Sequence, residues 1–438
     1  MSNVAYHCDV LIVGGGPAGM AAAYCAAQSG QRVSVVDDNP ALGGQIWRGE
    51  QGSANTTPIT TPHNSSHTSE AAAWFEKVRS AHVQFIRGAR VFGQPEPGRL
   101  VAETWDGFCE LNYQKLILAT GARERFLPFP GWTLPNVCGA GGLQALVKSG
   151  LPINGKKVVV AGSGPLLFAV AAYLHKHGAD VRLIAEQASL TSLFRFGLAL
   201  LAQPAKIAQA IGFKRALSGV PFLTNCWPIA ARGEEKLSSV TLRRGGKTWN
   251  VECDYLACGF YLLPNLELPI LLGCELQEQT VLVNEYQETS VPGIFCAGES
   301  TGIGGLELSL AEGQIAGFAA TGNHQAARQV FAEREKQRQF ARVLNATFAL
   351  HDELKNLPEA STIVCRCEDV PFERMHAYNS WRAAKLHTRC GMGPCQGRIC
   401  GAASEFLFGW GMESVRPPIF PARVESLALA AERMISDE

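Results

Sequence analysis

A unit of apolar strand, glycine turn and helix occurs twice in this chain, and that recurrence constrains the fold more than any other feature of its 438 residues. The first copy runs from a strand at residues 10–13 through a glycine turn into an alanine-rich helix reaching residue 29, then a strand at 32–36. The second copy, about 150 residues further on, takes a strand at 157–161, a turn at 162–164, a helix at 167–177 and a strand at 180–185. Such units bury a parallel sheet between helices, so the expected fold is α/β with two Rossmann-like dinucleotide-binding domains. At 47% hydrophobic and 18% charged content, a chain of this length buries more than one core.

In the first unit Gly14, Gly16 and Gly19 are spaced as GxGxxG, with Pro17 and Ala18 opening the helix. Backbone amides there can approach a pyrophosphate, and the positive end of the helix favours its charge. Asp37 closes the second strand, where a carboxylate accepts hydrogen bonds from a ribose. Without that context the glycines would mark only a tight turn.

The second unit keeps Gly162 and Gly164, and Glu186 ends its second strand, but Leu167 stands at the third glycine position. That residue changes how the helix packs on the strand more directly than it blocks a phosphate. Whether this unit holds NAD(P), another nucleotide or nothing stays open on the sequence.

Fourteen cysteines are present, five of them between 365 and 400. Cys365 and Cys367 are separated by one residue; after 27 more come Cys395 and, beyond a further four residues, Cys400. Four thiolates in such a set suit an iron-sulfur cluster. Structural zinc is the competing reading, but its cysteine pairs are spaced by two to four residues. Cys390 lacks a partner at matching spacing and reads as a spare buried thiol, and Gly391, Gly393 and Gly397 let the backbone close around a cluster. Cys138 stands alone and reads as a packed thiol, and His175 and His177 as surface residues.

The 39 basic and 39 acidic residues cancel, which argues against nucleic acid as a partner. No apolar run spans a bilayer and no secretory signal is visible, so the expected location is the cytoplasm. Residues 49–69 are crowded with Ser, Thr, Asn and Pro and read as loop. The expected division is 1–150 and 278–350 for the two parts of a flavin domain, 151–277 for a nicotinamide-type domain, and 351–438 for a small [2Fe-2S] domain.

Several motifs together resemble a known group. Val-Cys-Arg-Cys-Glu at 364–368 and Thr-Arg-Cys-Gly-Met-Gly-Pro-Cys-Gln-Gly-Arg-Ile-Cys at 388–400 resemble the bacterioferritin-associated-ferredoxin-like domain. Ala-Thr-Gly-Ala at 119–122 and Pro-Gly-Ile-Phe-Cys-Ala-Gly-Glu at 292–299 resemble the distal motifs of two-domain flavoproteins, and Gly-Gly-Gly-Pro-Ala-Gly at 14–19, Leu-Gly-Gly-Gln at 42–45 and Arg-Pro-Pro-Ile-Phe-Pro at 416–421 extend the likeness over nearly the whole chain. It is similar to the A subunits of opine oxidases and to flavoprotein subunits of D-hydroxyproline dehydrogenase, hydrogen cyanide synthase and heteromeric proline dehydrogenases.

This resemblance implies FAD held with Gly44, Gln45, Thr120, Gly121, Gly298 and Glu299, the last in place of the commoner Asp. It further implies a catalytic flavoprotein (beta) subunit that oxidises a secondary amine or amino acid, a small ferredoxin-like subunit, FMN at a subunit interface, and a respiratory or quinone acceptor reached at the inner membrane through the complex. No residue of this chain is then expected to be catalytic, because no cysteine pair comes after Gly43-Gly44-Gln45. Three other readings stand beside it: a self-contained NAD(P)H-dependent FAD/[2Fe-2S] reductase, a subunit of a hydrogen cyanide synthase-type glycine-oxidising complex, and a scaffold whose nucleotides are only structural.

Overall fold

Val10, Leu11 and Ile12 are fully buried, as befits a strand covered on both faces. They belong to Val4–Val13, which outruns its apolar core because it pairs in parallel with Phe108–Leu118, from Val4 opposite Cys109 to Val13 opposite Leu118. The computed structural model describes residues 4–48, 65–201, 203–411 and 415–436. It separates into two units, one of residues 1–123, 264–341 and 414–438, the other of 124–263 and 342–413.

The sheet of the first unit runs in the order Gln84–Arg87, Val33–Asp37, Val4–Val13, Phe108–Leu118, Arg99–Glu103, Arg90–Glu96, with Ile294–Cys296 also pairing on Phe108–Leu118. The glycine turn leads into Pro17–Ala27, where proline at the first helical position costs no hydrogen bond. Leu306–Ala320 lies directly on this helix: a Cβ on Gly313 would sit 2.2 Å from the Ala18 carbonyl oxygen, and one on Gly317 2.4 Å from that of Ala22. Packing is therefore what Gly313 provides.

The loop expected at 49–69 lies outside the described residues as far as 64. From there the helix Ser65–Ser80 begins, overriding the polar composition because Ala71, Trp74, Phe75 and Val78 recur at helical spacing and are buried.

The second unit holds the other parallel sheet, in the order Phe222–Thr224, Asp180–Glu186, Lys157–Ser163, Tyr255–Phe260, Val137–Cys138. A three-stranded antiparallel sheet of Cys226–Arg232, Ser239–Arg244 and Lys247–Glu252 accompanies it. The two glycine turns differ in how the next helix packs. A Cβ on Gly19 would lie 1.8 Å from the Gly14 carbonyl oxygen, so that helix presses on its turn. Leu167, on Leu166–Lys176, is instead 1% exposed in a core with Val158, Val160 and Val170.

The units depart from the division drawn on sequence. Residues 342–413, with the cysteines, join 124–263 rather than standing as a third unit, and the C-terminal stretch joins the first. Long-range contacts explain the second difference. Ile419 donates its amide to the Phe92 carbonyl at 2.9 Å, and Arg423 Nε donates to Glu103 Oε1 at 2.8 Å. Leu427, Leu429 and Ala430 on Val424–Ser436 cover Phe92, Val101 and Phe108. No helix among the described residues is long and apolar enough to cross a membrane.

Candidate flavin and cysteine sites

Gly14, with φ of 109°, ends the first strand where a Cβ would lie 2.1 Å from the Ala119 carbonyl oxygen, so only glycine fits. Asp37 closes Val33–Asp37 as expected; Oδ2 accepts from the Gly15 amide and Oδ1 from the Asn39 amide at 2.7 Å. The 42–45 loop lies against the same turn: Gly43 donates to the Gly15 carbonyl at 2.8 Å, and a Cβ on Gly44 would be 3.0 Å from Gly16 Cα. Gln45 is exposed. Gly14, Pro17 and Asp37 are all half-buried, so the turn is partly open.

Thr120 acts as a stitch. Its hydroxyl donates to the Asn265 carbonyl and meets Ser300 Oγ, both at 2.9 Å, while Asn265 Nδ2 returns a bond to the Thr120 carbonyl and its amide one to the Gly121 carbonyl. Gly298 and Glu299 open the single turn Gly298–Thr301. Glu299 Oε1 accepts from the Gly305 amide at 2.9 Å, but its buried Oε2 has no hydrogen-bond partner among the described residues. Burial raises this carboxyl to about 7 against the pull of the Gly305 and Gly304 amides.

Sequence reasoning missed the group that holds this turn. Glu312, 1% exposed, accepts from the Gly298 amide at 3.1 Å and from Thr301 Oγ1, and its other oxygen takes Arg338 Nη2 at 2.9 Å. Arg338 continues to Gln287 Oε1 at 3.1 Å, whose amide donates to the Cys296 carbonyl. A glutamate one helical turn from Leu308 in an apolar helix was the available signal.

An orphaned carboxylate oxygen at the distal motif, a partly open glycine turn and an acidic residue at the strand end form a donor and acceptor set that fits FAD. In the second unit the corresponding glycines and acidic residue are buried, although Pro165 is exposed. Gly162 and Gly164 sit at its turn, and Glu186 is fully buried with Oε2 accepting from the Gly164 amide and Oε1 from that of Ala188, each at 2.8 Å. Burial pushes Glu186 up to about 7.

The cysteine segment brings Cys365, Cys390 and Cys400 into one buried group, with Cys395 beside Cys400 and Cys367 beside Cys395. Cys365 ends the strand Ile363–Cys365, Cys400 opens the helix Cys400–Phe408, and Cys390 comes after Trp381–Thr388 through Arg389 in the left-handed region. Their sulfurs lie within 4.8 Å of one another and all three residues are buried. Cys390 is thus buried as expected, yet it stands inside the cluster rather than apart from it. The reason is the tight turn at 388–391, where Thr388 Oγ1 accepts the Cys390 amide at 3.2 Å.

Cys395 is half-buried beside Cys400 and Cys367, and Cys367 is exposed. A Cβ on Gly393 would lie 2.3 Å from Cys367 Cβ, so glycine is needed for the two arms to meet. Hydrogen bonding from the Cys390 and Cys400 thiols holds Cys365 well below the usual thiol range, and Cys400 draws Cys395 down to about 5. An all-sulfur set with thiolate character fits an iron-sulfur cluster. Elsewhere burial raises the lone Cys138, and His177 is exposed, as expected.

With both dinucleotide units and their turns described, the chain belongs to the pyridine nucleotide-disulphide oxidoreductase family, whose model matches residues 8–326. It is an oxidoreductase of flavoprotein fold. Among curated proteins it is 31% identical to the hydrogen cyanide synthase subunit HcnB of Pseudomonas aeruginosa, over 89% of this chain and 90% of that one. It is 28% identical to the A subunit of the opine oxidase of Agrobacterium tumefaciens, over 96% and 91% respectively. In fold it is similar to the L-proline dehydrogenase from P. horikoshii, with a TM-score of 0.68, 19% identity, and coverage of 98% of this chain and 80% of that one.

Proposed function

We propose that this chain is the electron-relaying subunit of a heteromeric dehydrogenase that oxidises a C–N bond of an opine or amino acid, with the oxidation itself on a partner flavoprotein subunit. The observation that carries the reading is the convergence of Cys365, Cys390, Cys395, Cys400 and Cys367 on one place in a chain that also has a flavin-type turn. Similarity to proteins named as subunits of opine oxidase and hydrogen cyanide synthase supports it.

FAD would be held by Gly14, Gly16, Pro17, Ala18, Gly19 and Asp37, with Gly44, Gln45, Thr120, Gly121, Gly298 and Glu299 around it. A [2Fe-2S] cluster would be held by Cys365, Cys367, Cys395 and Cys400. A flavin exchanges electrons in pairs or singly and an iron-sulfur cluster singly, so a chain bearing both interconverts the two. Cys390 then serves as a neighbour whose thiol hydrogen-bonds Cys365, a contact that raises a cluster's potential. Exposed Cys367 marks the edge where single electrons cross to an acceptor. The place of work is the cytoplasm, at the inner membrane through the complex.

The test is anaerobic purification with the products of adjacent genes, followed by assay on a panel of opines, glycine and cyclic imino acids. Cys395→Ser is expected to abolish the visible and electron-paramagnetic signals of the cluster while bound flavin is retained, and Cys390→Ser to keep both. Stoichiometric zinc without acid-labile sulfide in the purified protein would end the reading.

A further inference from the structure

The two dinucleotide units act as controls for one another, and they differ in one respect beyond Leu167. In the first, Gly14, Pro17 and Asp37 are half-buried. In the second, the equivalent Gly162, Gly164 and Glu186 are buried, as are Gln187 and Ala188 after the strand, while Pro165 remains exposed. The cover over them belongs to the same unit of the chain.

The helix Phe331–Thr347 ends there and the chain continues across the C-terminal ends of Lys157–Ser163 and Asp180–Glu186. Ser163 Oγ donates to the Phe348 carbonyl at 3.0 Å. Gln187 Nε2 donates to the Ala349 carbonyl at 3.1 Å and to Ser163 Oγ at 3.0 Å, and its Oε1 accepts the His351 amide at 3.2 Å. Phe348 is 3% exposed against Ala188, Phe196 and Tyr261, and the Tyr261 hydroxyl donates to Asn345 Oδ1. Tyr261 also closes over the turn, since a Cβ on Gly164 would lie 3.2 Å from its ring.

A dinucleotide is bound outside the carboxyl ends of parallel strands, with its phosphates on the glycine turn and its ribose at the acidic strand end. Here the Phe348 and Ala349 carbonyls accept from Ser163 and Gln187 at those strand ends, and Phe348 is buried against Ala188. To admit a nucleotide the chain would have to break these bonds and expose Phe348 to water, both of which oppose binding.

We propose that the second dinucleotide unit is no nucleotide site at all: the chain's own segment 345–351 occupies its crevice and makes of it a mount for the cysteine segment. The path of the chain beyond 351 supports the mounting role. His351 stacks on Trp227 with ring centroids 6.0 Å apart, Leu354 and Leu357 are buried in the cluster that holds Trp132 and Trp227, and Trp132 Nε1 donates to the Ile363 carbonyl two residues before Cys365. The path from the plug to the first thiol is therefore fastened repeatedly to the dinucleotide-type domain. The inference deepens the relay reading and rests on it only in its consequence, that electrons enter from a partner and not from a nicotinamide.

The flavin-loaded full-length chain, titrated anaerobically with NADH and with NADPH to millimolar concentration, is expected to show no saturable change in tryptophan fluorescence and no bleaching. Hydrogen exchange in peptides covering 345–351 is expected to be slow and unaltered by either nucleotide. Gln187→Ala, which removes three of the bonds, is expected to speed that exchange by about tenfold or more while flavin absorbance is unchanged.

Saturable binding of either nucleotide accompanied by faster exchange of 345–351 overturns the inference. So does rapid exchange in the unaltered protein, or exchange that Gln187→Ala leaves untouched. The relay reading fails by a different measurement, absence of cluster signals or of flavin reduction by the partner's amine substrate, so the two failures are distinguishable.

Discussion

Glu299 is held at about 7 by burial, against 4.5 for an ordinary glutamate, and the sign of the consequence depends on which state binds the proton. Below 4.5 the carboxyl is neutral in the folded and unfolded chain alike and nothing is lost. As the pH rises from there through about 7 the unfolded chain gives up its proton first, and the shift corresponds to roughly 3 kcal/mol against the folded state. The flavin-free chain is therefore expected to lose stability across that window, and Glu299→Gln to flatten the slope; urea unfolding at the two ends of the window measures it. Arg338→Met should lower stability by about 3 kcal/mol in the same urea unfolding, because the buried Glu312 loses its ion-pair partner. Of these residues, Glu299 was legible in the motif that it ends. Glu312 and Arg338 were not, since their partnership spans 26 positions and nothing local announces it.

At the scale of elements, the two helices around the flavin-type turn depend on a contact with no side chain in it. Gly313→Val should drive Leu306–Ala320 off Pro17–Ala27, lowering stability by about 2 kcal/mol or more and weakening flavin retention together. Calorimetry and the flavin-to-protein absorbance ratio read the two effects. The strands and helices of both dinucleotide units were legible because their apolar runs and glycine turns are local signals. The plug at 345–351 was not: the Ser163–Phe348 bond joins residues 185 positions apart, and the polar stretch before it reads equally well as an exposed helix. Cys390 was misjudged for a related reason, as spacing rules count positions along the chain while the turn at 388–391 decides where the sulfur goes.

For the whole molecule, the two compact units are drawn differently from the sequence division where the chain returns. Deleting residues 415–438 would be expected, on that division, to harm the cysteine domain. The packing of Ile419 and Leu427 and the Arg423–Glu103 pair give the opposite expectation: the truncated chain should lose flavin and unfold its first unit at lower temperature while retaining iron. Parallel flavin and iron analyses of the truncated protein test this.

Because each unit is assembled from separated stretches, the order of synthesis matters. The glycine turn at 14–19 leaves the ribosome before the helix Leu306–Ala320 that covers Pro17–Ala27, which emerges only after the entire parallel sheet of the other unit has been made. At roughly 5–20 residues per second that interval is on the order of tens of seconds. Throughout it the nascent chain carries an apolar helix face with no cover, so its yield in the cell should track the supply of chaperones that shield such surfaces.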